Sequence, residues 1–169
     1  MKKYLISFIV LILISAYACQ YQQVQKQYFE ASPEIDVVHK VTEAYLNQDW
    51  ETYRSYYSDT AKIFENTWYL SGSSMNIDES IESMKAFAST LVSQTFEEIT
   101  LEMIITDKGE KWVYFWGNWI GKITEEGADI VVPIHHAIML VDEKIVSELN
   151  FFDNLPIYLA QQALETENK

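Results

Sequence analysis

The 169-residue chain contains a single cysteine, and its 12 lysine and arginine residues are outnumbered by 25 aspartate and glutamate residues. One thiol excludes an intrachain disulfide, so burial of side chains has to hold the folded part together. The net charge of −13 argues against nucleic acid binding, because such a surface repels phosphates. It also disfavours docking on anionic lipid headgroups.

Several sequence motifs that are typical of enzymes are absent from the chain. There is no G-x-S-x-G nucleophile motif, no phosphate-binding loop and no dinucleotide fingerprint. His135 and His136 are adjacent, and successive side chains of a strand point to opposite faces, so the two cannot bind one metal together. Since His39 is the only other histidine, we expect neither a histidine-built metal site nor a cofactor.

The amino terminus has the pattern of an export signal. Lys2 and Lys3 precede an uncharged apolar run over residues 4–14, and a small-x-small pattern follows at residues 15–19. The apolar run is shorter than the about 20 residues that span a bilayer. We therefore predict a signal peptide over residues 1–18, whose removal takes away two lysines and changes the net charge from −13 to −15.

Cys19 would then begin the mature chain. A cysteine at this position resembles a bacterial lipobox, in which the thiol is lipidated, although Ala16 stands where leucine is usual. Residues 16–18 also fit the ordinary A-x-A rule, which would release a soluble periplasmic or secreted protein. We predict an exported, envelope-anchored protein that meets the membrane only through lipid on Cys19, with the released form as the alternative. Residues 19–31, rich in glutamine, are predicted to be a tether, and residues 32–169 a single domain.

The patterning of the domain predicts helices first and then consecutive strands. Ser32-Pro33-Glu34 is typical of a helix start, and Asp49 of the cap of a second short helix, which carries Tyr57 and ends at Ser58-Asp59. Asp78-Glu79 is typical of the start of a third helix. Strands are predicted over 62–65, 96–106, 111–123, 130–141 and 144–152, and a last helix over 155–164. This order indicates an α+β fold with an antiparallel sheet that curls around the first helix.

This order of motifs resembles the SnoaL-like branch of the nuclear transport factor two-like superfamily. The resemblance rests on Ala44-Tyr45 to Trp50, on residues 116–121, on residues 142–145 and on 151–153, with Leu155 and Gln161. It implies a cone-shaped curved antiparallel sheet wrapped around N-terminal helices (a cystatin-like roll), often dimeric. It also implies a cyclase, isomerase or dehydratase, or a member without chemistry. An aspartate that ends the last long strand acts as acid or base in SnoaL-type cyclases, and Asp153 stands there.

Residues 130–153 predict a hairpin with one apolar face. If Asp142-Glu143 forms a tight turn, the strand pleat places three polar side chains on that face. These are His136, Ser147 and Asp153, with Ile134, Ile138, Leu140, Leu149 and Phe151 around them, and we expect Trp119, Tyr45 and Tyr53 to line the same pocket. A few polar groups in an apolar hollow are typical of a small-molecule site. A bulged turn would shift the register by one residue and aim His135 into the pocket instead.

Asp153 and His136 are the candidate catalytic residues, and each has a second interpretation. A carboxyl group at the end of an apolar cavity has a raised pKa that suits proton transfer, but Asp153 also fits the N-cap of the last helix. His136 fits a residue that orients a substrate carbonyl or pairs with Asp153, and equally a histidine hydrogen-bonded in the core.

Aromatic residues on the middle strand make its second face apolar as well. Trp112, Tyr114 and Trp116, with Asn118, form a surface too hydrophobic for open water, which favours a homodimer interface over cover by the tether or a terminal helix. Three functions follow: a tethered domain that binds a small apolar ligand or partner, a proton-transferring enzyme, or a structural homodimer whose cavity is filled by its own side chains.

Overall fold

The computed structural model describes residues 27–67 and 72–167, so the predicted signal peptide and Cys19 lie outside the described residues. The described part has four helices: α1 (Pro33–Leu46), α2 (Trp50–Ser55), α3 (Ile77–Ala88) and α4 (Leu155–Glu167). Its six strands are β1 (Tyr28–Phe29), β2 (Tyr57–Glu65), β3 (Ser93–Ile105), β4 (Lys111–Lys122), β5 (Ile130–Val141) and β6 (Lys144–Phe152). None of these described helices is long and apolar enough to cross a membrane.

Side-chain caps set where the helices begin. The Ser32 hydroxyl accepts the N–H of Ile35 at 3.2 Å, and the Asp49 carboxylate accepts the N–H of Thr52 at 3.1 Å, as predicted for the first two helices. The third helix begins slightly upstream of the prediction, because Asn76 and Glu79 form a capping box. Caps of this kind satisfy backbone N–H groups that the helix itself leaves without partners.

The six strands form one sheet in the order β1-β3-β4-β5-β6-β2, and the predicted α+β fold with a curved sheet is confirmed. All neighbouring strands run antiparallel except β2, which pairs with β6 in parallel at one edge. At the other edge, Tyr28 and Phe29, which the prediction places in the tether, pair with Ile104 and Met103 of β3. Helix α1 packs against the inner face of the sheet, and the core there is apolar, with Val38, Val41, Val113, Phe115, Ile138 and Ile145.

The hairpin between β5 and β6 turns tightly. Asp142 and Glu143 both have positive φ, at 50° and 59°, which is the geometry of a two-residue hairpin turn. A residue with a Cβ atom is strained in that region by roughly 1–2 kcal/mol. Because the turn has only two residues and Val141 pairs with Lys144 across it, the turn does not shift the register of the hairpin.

A β-bulge follows three residues after the turn, at Val146. Leu140 pairs with Ile145, but the next pair is Met139 with Ser147, so that Val146 is an extra residue in β6. From this point the side chains of β6 exchange faces. The prediction that Ser147, Leu149 and Phe151 face the inside of the sheet is therefore wrong. The residues of β6 that face the inside are Glu148, Asn150 and Phe152.

Candidate functional site

A cavity of about 500 Å³ lies between the inner face of the sheet and helices α1, α3 and α4. Its wall is largely apolar and aromatic: Val38, Val41, Tyr45, Met84, Phe87, Phe96, Phe115, Trp119, Val132, Ile134, Ile138, Phe152 and Ile157. This volume lies within the range of roughly 300–1,000 Å³ that is usual for small-molecule pockets.

The aromatic part of the wall is packed ring against ring. Phe96 contacts both Phe115 and Tyr45, with ring centroids 5.2 Å and 6.1 Å apart, and Phe87 lies 5.5 Å from Trp119. Burial raises the pKa of Tyr45 to about 12, so its hydroxyl keeps its proton. The rings hold each other in place, so the wall has a defined shape.

Glu148 is the buried carboxyl group of this cavity. The residue is only 4 % exposed, and the Tyr57 hydroxyl donates to its Oε2 at 2.5 Å. The Tyr57 oxygen lies 2.7 Å from the Tyr53 hydroxyl, and since Tyr57 donates to Glu148, Tyr53 is the donor in this second bond. The Asn150 side chain also donates to Glu148. A chain of hydrogen bonds thus runs from α2 through β2 to β6.

Burial sets the protonation of this chain. It raises the pKa of Glu148, because a charged carboxylate loses hydration in an apolar interior. It also raises the pKa of Tyr53 and of Tyr57 well above the ordinary value, and the charge of Glu148 adds to that effect. Both phenols therefore remain protonated donors.

His136 lies beside this carboxyl group, on the neighbouring strand and directly opposite Asn150. Its Nδ1 is 3.6 Å from Oε1 of Glu148, which is too long for a direct hydrogen bond. Burial, and then the neighbouring charge of His135, lower the pKa of His136 to about 3. Both pKa shifts favour the uncharged forms, a neutral acid and a neutral imidazole, over an ion pair.

Asn150 completes the polar cluster and has spare hydrogen-bonding capacity. Its side chain lines the cavity. Its Oδ1 is buried and has no hydrogen-bond partner within the described residues. Buried polar atoms in folded proteins nearly always have a partner, so an unpaired oxygen in a cavity wall points to a ligand or water as the donor.

The structure brings together six of the predicted site residues. His136, Ile134, Ile138, Trp119, Tyr45 and Tyr53 all line the cavity, whereas Ser147, Leu149 and Phe151 do not, because of the bulge at Val146. Leu140 belongs to the buried core and is not part of the lining.

Asp153 lies outside the cavity lining. Its side chain is exposed, and its Oδ1 accepts the N–H of Leu155 at the start of α4, at 2.9 Å. Leu155 is the first residue of α4, and the carbonyl oxygen of Asn154 accepts the first helical N–H, from Tyr158, so Asn154 holds the N-cap position and Asp153 lies one residue before it. The N-cap interpretation of Asp153 is therefore wrong by one residue. The acid–base role that the resemblance implied for Asp153 stays a prediction without support from its position, and the buried carboxyl group in the cavity lining is Glu148.

Sequence reasoning missed Glu148 and Asn150. Strict alternation from the turn places both on the outer face, and the position of a bulge cannot be read from alternation. The available signal was the acid itself, since Glu148 is the one charged residue between Lys144 and Asp153 in an apolar strand.

His135 lies on the opposite, outer face of the sheet. Its ring stacks on Trp116 with centroids 3.8 Å apart, and its Nδ1 is 3.1 Å from the carbonyl oxygen of Phe115. The alternative register that aimed His135 into the pocket is therefore wrong, because the bulge moved residues of β6 and left β5 unchanged. Within residues 27–67 and 72–167, no three His, Cys, Asp or Glu side chains cluster as a metal site would require.

Comparison with known proteins places the fold. No family model and no curated protein matches the sequence. Among solved structures, a proposed SnoaL-like polyketide cyclase from Shewanella denitrificans OS-217 matches with a TM-score of 0.58 and 14 % identity, over 79 % of this chain and 99 % of that one. The proposed polyketide cyclase IdmH from Streptomyces antibioticus matches with a TM-score of 0.60 and 15 % identity, over 78 % and 99 %. PrhC from Penicillium brasilianum NBRC 6234 matches with a TM-score of 0.62 and 14 % identity, over 80 % of this chain and 90 % of that one.

The fold is SnoaL-like. The solved SnoaL-like structures match over nearly their whole length, so the helices and the curved sheet of this chain belong to one shared architecture. At these identities the likeness establishes the SnoaL-like fold alone, and the activity has to be argued from the residues of the cavity.

Proposed function

We propose that this chain binds a small apolar molecule in the cavity between the sheet and helices α1, α3 and α4. The observation that carries the proposal is an open volume of about 500 Å³ with an apolar wall and one polar cluster. That combination is typical of a small-molecule site, in which apolar area supplies affinity and a few polar groups fix orientation. The open volume favours binding over a structural role with a self-filled cavity.

Binding can be tested with Nile red, an uncharged dye whose fluorescence rises in apolar surroundings. Thr42 of α1 lines the cavity, and Glu43 is its exposed neighbour on the same helix. We expect the wild type and Glu43→Trp to bind the dye, and Thr42→Trp to lose it because the indole fills the cavity. Circular dichroism would establish that both variants are folded. A folded Thr42→Trp that binds like the wild type, or a wild type that does not bind, would contradict the proposal.

A second candidate function, proton transfer of the isomerase, cyclase or dehydratase kind, is favoured by Glu148. A carboxyl group with a raised pKa, hydrogen-bonded to Tyr57 and next to the neutral imidazole of His136, can give up and retake a proton at a higher pH than an ordinary carboxyl group does. In this hypothesis Glu148 takes the acid–base role that the sequence pattern assigned to Asp153, and His136 orients the substrate.

This chemistry can be probed with 5-nitrobenzisoxazole, a small aromatic carbon acid that opens when a base removes its ring proton. We expect wild-type turnover to rise with pH as Glu148 ionises, to be lost in Glu148→Gln, and to be unchanged in Asp153→Asn. Equal rates for wild type and Glu148→Gln would refute proton transfer while leaving the binding proposal intact.

We also propose that the domain is exported and held at the cell envelope by lipid on Cys19. The support is the order of basic residues, apolar run and small-x-small pattern in residues 1–19. The mass of the mature protein from a bacterial host tests this: we expect a chain that begins at Cys19 and carries added diacylglycerol, and an unmodified mass after Cys19→Ser. A wild-type chain that begins at Cys19 without added mass would favour the released form.

The outer face of the sheet supports the proposal of a homodimer. Trp116 is 49 % exposed there, and His135 and Tyr114 stack beside it, so a large aromatic surface faces outward. Exposed apolar surface of this kind is usual at contacts between protein chains.

A further inference from the structure

The polar cluster of the cavity specifies the kind of group that a ligand has to present. Three donors of the cluster are committed within the protein: Tyr53 donates to Tyr57, Tyr57 donates to Glu148, and the Asn150 amide also donates to Glu148. Oδ1 of Asn150 is a buried acceptor that has no partner within the described residues. A ligand group that pairs with this oxygen therefore has to donate a hydrogen bond, and it can accept one from the neutral forms of Glu148 or His136.

The charge of the lining indicates that the ligand is uncharged. The ionisable side chains in the described lining are two carboxyl groups, Glu65 and Glu148, one histidine, His136, and three tyrosines. An anionic ligand would lose its hydration next to Glu148 and would also face Glu65, which is exposed at the cavity opening. An ammonium group would lose its hydration equally, beside a carboxyl group whose ionisation is opposed by burial, which raises its pKa.

A hydroxyl group meets both conditions, since it donates a hydrogen bond and carries no charge. Resting on the proposed binding function, we propose that the ligand is an uncharged apolar molecule with a hydroxyl group that donates to Oδ1 of Asn150. His136 lies directly across the strand pair from Asn150, so its neutral ring lies beside the same group. The aromatic wall formed by Phe96, Phe115 and Trp119 holds the apolar body.

Four fluorescent probes with one carbon skeleton test this assignment: pyrene, 1-hydroxypyrene, 1-methoxypyrene and 1-pyrenecarboxylate. We expect 1-hydroxypyrene to bind the wild type about tenfold more tightly than pyrene or the methoxy compound, which is the effect of one net hydrogen bond. We expect the carboxylate to bind most weakly. The methoxy compound is the critical control, because it keeps the oxygen and removes the donor.

Two variants of β6 test whether Asn150 is the residue that accepts the hydrogen bond of the ligand hydroxyl. Asn150→Leu should abolish the preference for the hydroxyl compound while pyrene still binds, and Ser147→Leu, on the outer face of the same strand, should leave the preference unchanged. If Asn150→Leu does not fold, Asn150→Asp, which keeps an acceptor, should retain the preference of the wild type over the methoxy compound.

The outcomes separate this inference from the proposed function. If neither pyrene nor Nile red binds the wild type, the binding function itself is refuted. If pyrene binds and the hydroxyl and methoxy compounds bind equally, or the carboxylate binds most tightly, binding stands and the assigned ligand class is overturned. A hydroxyl preference that persists in Asn150→Leu overturns the role of Asn150.

Discussion

The Glu148→Gln variant should become more stable relative to the wild type as the pH rises. The amide has the shape of the protonated carboxyl group and can still accept from Tyr57. The amide cannot ionise, so the variant never places a negative charge in the apolar interior. Because the wild-type side chain is 5 % exposed, the effect is not reduced by solvent screening.

The magnitude follows from proton binding. The folded state holds the Glu148 proton to a higher pH than the unfolded state does, whose pKa is near 4.5. The stability that this proton confers is therefore fully present below about pH 4.5 and is lost as the pH rises through the raised pKa of the folded state. Between those two values, wild-type stability falls by up to about 1.4 kcal/mol per pH unit relative to the variant. Two pH units thus correspond to about 2.7 kcal/mol.

Urea denaturation followed by circular dichroism, in half-unit steps from about pH 4.5 to 7.5, measures this difference. Glu43→Gln, an exposed position on α1, is the matched control and should run parallel to the wild type. A constant difference between Glu148→Gln and wild type, or one that favours the wild type more as pH rises, would refute a buried neutral carboxyl group.

Three further changes test other parts of the structure. The pKa of His136 is about 3 in the folded state and 6.5 in the unfolded state, so the stability that its neutral ring confers is present above pH 6.5 and is lost as the pH falls. Between pH 6.5 and 4.5 the wild type should lose roughly 2.7 kcal/mol of unfolding free energy in this way. In acid denaturation, His136→Gln should abolish this loss. A Cβ atom at Gly121 would lie 2.1 Å from the ring of Trp119, so Gly121→Ala should cost about 1–3 kcal/mol in thermal denaturation, and an unchanged Tm would contradict that packing. Trp116→Glu should convert a dimer to a monomer in sedimentation velocity, and a variant that sediments like the wild type would contradict an interface on this face.

Local chemistry made the helices predictable. Ser32 and Asp49 act as caps in the structure as their sequence context indicated, because a cap depends on a few neighbouring residues. The second helix ends earlier than predicted, however, and Tyr57 belongs to β2, where it pairs with Ile145. Pairing with a distant strand decided that boundary, and no local pattern contains it.

The candidate site was predictable on one strand and not on the next. In β5 the alternation is unbroken, so His136, Ile134 and Ile138 face the cavity as predicted. In β6 the extra residue Val146 exchanges the faces, and a buried acid takes the place of the expected serine. Whether a strand bulges depends on the curvature that its neighbours impose, which is a property of the assembled sheet and not of the strand sequence.

The wall of the cavity is assembled from remote parts of the chain, from Val38 on α1 to Gln161 on α4. An occupant consequently touches several segments at once, and the unfolded chain offers it no comparable enclosure. Occupancy therefore opposes unfolding of the whole domain, by about 2.7 kcal/mol when free ligand exceeds its Kd a hundredfold. A melting-temperature screen of metabolite libraries can thus identify the natural occupant without any prior assumption about its chemistry.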